Sequence, residues 1–137
     1  MSLADVGKIK ETTVVTLKHP DPSKTLKNPN GEPMTVTLNG PYSTRYKTIL
    51  REQQQQRMTE MALGQEPTRS AEEVDADWRA LIAGCIESWS IWETDKEELL
   101  FTPEAALDLF QRHPWIYDQL GGAMGRAGNF FESPEKP

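Results

Sequence analysis

Apolar positions change their spacing along this chain, and the changes mark its parts. In TTVVTLKH (12–19) β-branched residues dominate, and in EPMTVTLNG (32–40) Met34, Val36 and Leu38 alternate with threonines. A period of two gives a strand one apolar face. Between the runs, three prolines precede Asn30-Gly31, a tight-turn dipeptide. Residues 12–40 are therefore predicted to form a β-hairpin. Two strands alone are marginal in water, so the hairpin must lean on helices or on a partner.

After Pro41 the spacing becomes helical. No Gly or Pro interrupts residues 42–63, Ser43 or Thr44 can cap the start, and Gly64 is a natural stop. Tyr42, Tyr46, Ile49, Leu50, Met58, Met61 and Ala62 recur at roughly helical spacing, and the methionines are expected in the core. A second helix opens on a capping box, Ser70 with Glu73. Its predicted buried stripe is Val74, Trp78, Leu81, Ile82, Cys85, Ile86 and Trp89. TDKEELLF (94–101) reads as a connection, after which Thr102, Pro103 and Glu104 form a helix start, with Ala106, Leu107 and Phe110 on its apolar side. Pro114 ends that helix and begins a fourth, in which Ile116, Leu120 and Met124 repeat every four residues. Gly121, Gly122, Gly125 and Gly128 weaken this segment by roughly 1 kcal/mol each relative to alanine.

The expected fold is mainly α with a small N-terminal β-hairpin, an α+β arrangement of about four helices packed against the hairpin. It is one domain over 1–137, with the hairpin at 12–40, a helical part at 42–131, and loose ends at 1–11 and 132–137. The 137 residues suffice for a modest single core.

Charge narrows the functions. A net charge of −6 argues against a broad basic surface for nucleic acid. Arg45, Lys47 and Arg51 form a small basic cluster that reads as a solvated helix face. No run approaches the roughly 18 apolar residues that a membrane crossing needs, and the first residues lack the apolar core of a secretory signal. A cytosolic protein without membrane contact is expected. Cys85, the only cysteine, sits in the apolar run LIAGCIESW and reads as a small buried hydrophobe.

Catalytic equipment is sparse. His19 and His113 are each followed by proline and lie in no metal-ligand spacing. Glu73 and Asp77 share a helical face, as do Glu93 and Glu97 if that segment is helical, but both pairs flank apolar positions. GGAMGRAG lacks the preceding strand of a phosphate loop. No cofactor, metal or catalytic residue is assigned, and a binding protein is expected. Trp78 and Trp89 read as packing residues. Trp92 and Trp115 stand at helix ends, where one edge can stay wet.

The order of parts carries a resemblance. VVTLKHP and GEPMTVTLNGPYS lead into the helix beginning YSTRYK; VDADWRALIAGCIESW, LLFTPEAALDLFQRHPWIYDQL and NFF follow. From about Val14 to Phe131 this resembles the tail assembly chaperones of long-tailed bacteriophages. The resemblance implies a non-enzymatic escort in the host cell cytoplasm that binds the tape measure protein, keeps it soluble, helps recruit tail tube protein, and leaves before the virion is complete. Those two proteins are the implied partners, with self-association also open. The alternative is a permanent small structural subunit of the tail or head-tail connector. Trp92, Leu99, Phe101, Trp115, Ile116 and Leu120 are the candidate client-binding residues, chosen by position at helix ends.

Overall fold

The computed structural model describes residues 2, 3, 7–64 and 70–131. Strands β1 (Thr12–Thr16) and β2 (Thr35–Asn39) pair antiparallel, with Thr12 opposite Asn39 and Thr16 opposite Thr35. Val36 and Leu38 are fully buried while Thr35, Thr37 and Asn39, which alternate with them, are half-buried, as alternation on a pleated strand requires. Asn28 organises the connection. Its backbone N–H donates to the Glu32 carbonyl at 2.8 Å, and its Oδ1 accepts the N–H groups of Asn30 (2.9 Å) and Glu32 (3.0 Å). Gly31 turns the chain at φ +82°, a left-handed conformation that glycine adopts without steric cost.

Helix α1 (Thr44–Ala62) starts at Ser43, whose Oγ accepts the Tyr46 N–H at 3.1 Å and donates to the Gly40 carbonyl at 2.6 Å. Of its residues only Ile49 is buried. The expectation that Met58 and Met61 lie in the core is corrected: both are exposed. The reason is geometric. α1 meets α2 (Ala71–Cys85) along Arg45, Ile49, Gln53 and Arg57, spaced four apart, with Tyr46 and Leu50 half-buried beside them, while Met58 and Met61 point to water.

α2 begins as predicted, with Ser70 Oγ accepting the Glu73 N–H at 3.2 Å. It then stops at Cys85 instead of running to Trp89. Strand β3 (Ile86–Ser90) follows without a loop and pairs antiparallel with β2, giving a sheet in the order β1-β2-β3. β2 offers a strand edge for this pairing, and the Asn39 side-chain amide donates to the Cys85 carbonyl at 2.9 Å where helix becomes strand. Val74 and Trp78, expected on the buried stripe, are about half exposed, whereas Leu81, Ile82, Ala83 and Cys85 are buried. The N-terminal half of α2 therefore stands clear of the core.

A second correction concerns residues 94–101. Strands β4 (Trp92–Thr94) and β5 (Glu97–Glu98) form a small antiparallel hairpin, so the expected helical part contains three strands. Helices α3 (Pro103–Arg112) and α4 (Pro114–Met124) follow, and α4 continues through Gly121 and Gly122 despite their helix-weakening effect. A short 3₁₀ turn (Ala127–Phe130) leads back to the N-terminal segment. There Ile9 bridges to Phe131, the Lys10 N–H donates to the Phe130 carbonyl at 2.8 Å, and the Gly40 N–H donates to the Glu11 carbonyl at 2.7 Å. The expected loose start at 1–11 is thus tied down from Ile9 onward; residues 132–137 lie outside those described.

The core joins the sheet to all four helices through Leu17, Val36, Leu38, Ile49, Ile82, Cys85, Leu109, Phe110, Leu120 and Phe130. This is the mainly α, α+β fold expected, with the helices packed on the hairpin's apolar side. No helix among the described residues is long and apolar enough to cross a membrane.

Candidate functional site

The break between α3 and α4 builds one wall of an open groove. Proline disfavours helical backbone in the residue before it, and His113 accordingly leaves the helical region at φ −132°, ψ 73°. Its N–H still closes α3 on the Leu109 carbonyl at 2.7 Å, while its own carbonyl accepts the Ile116 N–H at 3.0 Å. The corner places Trp115 on the surface beside the imidazole, ring centres 6.0 Å apart and edge to face.

The groove has a volume of about 330 Å³. Leu17, Met34, Ile91, Leu109 and Ile116 form its buried floor, and the half-buried Leu26, Trp92 and Trp115 form its walls. Glu93, Thr94, Arg112 and His113 complete the lining as polar groups. Arg112 acts as a clasp. Its Nη1 is paired with Glu93 on β4, and its Nε donates to Asp108 Oδ2 at 2.9 Å, so α3 is fastened to the β4–β5 hairpin at the groove edge. Hydrogen bonding to Glu93, and then to Asp108, holds the guanidinium above its ordinary pKa.

Of the six candidate residues, Trp92, Trp115 and Ile116 meet in this groove. Leu99 and Phe101 lie next to it in sequence but pack elsewhere. The Leu99 N–H donates to the Ile91 carbonyl at 2.8 Å, its carbonyl accepts the Trp89 indole N–H at 2.8 Å, and the Phe101 ring stands edge-on to Trp89 at 4.9 Å. Leu120 is corrected: it is 1% exposed, one turn past Ile116 and inside the core, so it cannot touch a client in this conformation. Sequence reasoning missed Leu17, Leu26, Met34, Ile91 and Leu109 as groove residues. Leu26 carried a signal, a lone leucine in a polar, proline-bearing loop that needs an apolar surface to rest on.

The remaining candidates for chemistry are in structural use. His19 Nδ1 accepts the Asp21 N–H at 2.9 Å within a turn. The Asp21 carboxylate is lowered in pKa, first by the backbone N–H of Ser23 and then by its hydroxyl. Asp77 makes an ion pair with Arg57 at 3.5 Å, and Glu73 contributes to the cap of α2. Glu93 and Glu97 belong to a β-hairpin, so they do not share a helical face. The Cys85 thiol is pushed up to about 11 by burial, the opposite of what a nucleophile needs.

Comparison with models of protein families, with curated proteins and with solved structures finds no match to this chain.

Proposed function

We propose that this chain is a non-enzymatic tail assembly chaperone that binds the tape measure protein in the host cytoplasm, keeps it soluble and helps recruit tail tube subunits. The resemblance in the order of sequence motifs names the client. The groove flanked by Trp92 and Trp115 is the observation that supports a binding role. An amphipathic helix presents apolar side chains at i, i+3, i+4 and i+7, and a cleft of this size takes two or three of them rather than a whole helix. Aromatic walls and an Arg–Glu rim suit a moderate, reversible hold, in which the aromatics supply area and the rim charges discourage indiscriminate aggregation. Several copies along one long client would gain by multivalency.

Co-expression with a tape measure protein tests this directly. The client is expected to stay in the supernatant with the wild-type chain and to precipitate with Trp115→Ala, while circular dichroism shows both chains folded. A purified chain with no affinity for any tail component would sink the reading.

A permanent structural subunit is the second reading. It is favoured by β1, the outer strand of the sheet, whose Val14 is 61% exposed and open to a neighbouring subunit. Mass spectrometry of purified virions separates the two: an escort is absent from particles, a subunit is present.

A further inference from the structure

The outer edge of β1 carries unpaired backbone groups, and the ladder shows which. The Leu17 N–H donates to the Met34 carbonyl at 2.9 Å, and the Gly40 N–H donates to the Glu11 carbonyl at 2.7 Å. With Thr12 opposite Asn39, odd-numbered residues of β1 bond to β2, and even-numbered ones turn their N–H and C=O groups outward. At both ends these outward groups are occupied. The Lys10 N–H donates to the Phe130 carbonyl at 2.8 Å. The Lys18 N–H donates to Gln119 Oε1 at 2.9 Å, and its carbonyl accepts from Gln119 Nε2 at 2.7 Å. The Gln119 amide thus bonds Lys18 as a peptide group of a neighbouring strand would. Between these ends, the outward groups of Thr12, Val14 and Thr16 bond to no described residue. Exposed edges are usually blunted by charge, proline or a bulge. The run TTVVT has no charge or proline and pairs with β2 without a register shift, and Val14 is 61% exposed.

A cleft of about 350 Å³ lies beside this edge, lined by Val15 and Thr16 on the strand and by Gly122 and Ala123 on α4. A Cβ added at Gly122 would meet nothing within 4 Å, so side chains of a guest have room above the helix. The cleft has a polarity. α4 runs from Gln119, at the Lys18 end, towards the 3₁₀ turn that reaches Lys10. Asp118 and Lys18 stand at the first end and offset each other. Arg126 stands at the second, roughly 10 Å further along the axis of α4. It is exposed and makes no ion pair with any described residue.

We infer that this edge and cleft hold the C-terminal end of another protein as an added antiparallel strand of about five residues, its carboxylate against Arg126. The free backbone groups fix the class of occupant. Only another extended backbone meets N–H and C=O groups that recur at every second residue, about 7 Å apart. Arg126 fixes the direction. An antiparallel guest runs from Lys18 towards Lys10, so its C-terminus arrives at Arg126, and the Phe130–Phe131 segment bars it from going further. A parallel guest would bring its carboxylate to the Asp118 end, where no net positive charge meets it. A second copy of β1 is disfavoured. Two-fold pairing about Val14 sets Lys10 of each copy opposite Lys18 of the other, like charges face to face, at positions that Phe130 and Gln119 already cover. The inference does not rest on the proposed function, because the client groove shares no lining residue with this cleft.

Panning random heptapeptides with free C-termini on the full chain, beside Gly122→Leu as a control whose cleft is filled, tests it. Wild type is expected to enrich peptides that Gly122→Leu does not, and the tightest of these, made synthetically, becomes the probe. Amidating its C-terminus, or Arg126→Glu in the chain, is expected to weaken binding roughly tenfold or more. Val14→Pro removes an outward donor but no bond to β2, and edge strands tolerate proline; it should weaken binding as much, with an unchanged far-ultraviolet circular dichroism spectrum. Hydrogen exchange needs no variant: the probe should slow the amides of Val14 and Thr16. Trp115→Ala, in the client groove, should bind the probe normally. The inference is overturned if no peptide is enriched over the Gly122→Leu control, if amidation leaves affinity unchanged, or if the probe slows exchange elsewhere but not at Val14 and Thr16. A wild-type chain that sediments as a dimer, and that Val14→Pro returns to monomer, assigns the edge to a second copy and overturns it as well.

Discussion

The indole Nε1 of Trp89 donates to the backbone carbonyl of Leu99 at 2.8 Å, joining strand β3 to the segment that returns from the β4–β5 hairpin. The same ring meets Phe101 edge to face at 4.9 Å. Trp89→Phe keeps most of the apolar packing and removes the donor, leaving a part-buried carbonyl without its partner. The expected loss is about 1–2 kcal/mol, read as a lower urea midpoint with an unchanged slope.

Gly40 and Gly84 separate two kinds of close approach. A Cβ on Gly40 would overlap the Phe130 ring, which is fully buried and has nowhere to go. Gly40→Ala is expected to cost about 1–3 kcal/mol through overpacking. A Cβ on Gly84 would approach Ile49 Cδ1 at 2.7 Å, the far end of a side chain that is 8% exposed where α1 meets α2. There the gain in helix propensity, about 1 kcal/mol for alanine over glycine, offsets the shift required of Ile49. Thermal melts should show Gly40→Ala clearly destabilised and Gly84→Ala close to wild type.

The hairpin, the four helices and the caps at Ser43, Ser70 and Thr102 were legible in the sequence because each rests on a local signal: alternation, a helical repeat or a capping side chain. Strand β3 was not. Ile82, Cys85, Ile86 and Trp89 continue a helical spacing of three and four, and only the edge offered by β2, distant in sequence, draws residues 86–90 into the sheet. A register slip between Thr37 and Leu38 accompanies the spacing of three between Ile86 and Trp89, which no regular strand pattern would show. The groove was half legible. Trp92 and Trp115 were marked by their positions at element ends, but its floor comes from Leu17, Met34, Ile91 and Leu109, which look like ordinary core residues until the fold leaves one side of them uncovered.

Cys85 gives the chain a pH signature. Burial raises the thiol to about 11 in the fold, whereas an unfolded cysteine titrates near 8.5. The folded state therefore holds its proton more tightly than the unfolded state. The associated stability is complete below the unfolded pKa and is lost as pH rises from there through about 11. Native protein is expected to resist a thiol reagent at pH 8 and to react stoichiometrically in denaturant. Denaturation midpoints should fall between pH 8.5 and 11 more steeply for wild type than for Cys85→Ala.

Truncations at two positions of α4 distinguish the groove from the core beneath it. Trp115 is half-buried at the mouth of the groove, while Leu120 is 1% exposed and packed inside. Removing the Leu120 side chain leaves a cavity among buried neighbours, so Leu120→Ala is expected to cost about 2–5 kcal/mol and to lower the melting temperature sharply. Trp115→Ala leaves the floor of Leu109 and Ile116 in place and should melt near wild type. In binding the order reverses. A truncated aromatic wall costs on the order of 2 kcal/mol at an interface, close to a 30-fold loss of affinity for an amphipathic helical client, measured by fluorescence anisotropy of a labelled peptide. Leu120→Ala, assayed at a temperature where it remains folded, should bind within a fewfold of wild type. If Trp115→Ala instead unfolds the chain while leaving affinity untouched in the folded fraction, the groove is simply part of the core and not a binding surface.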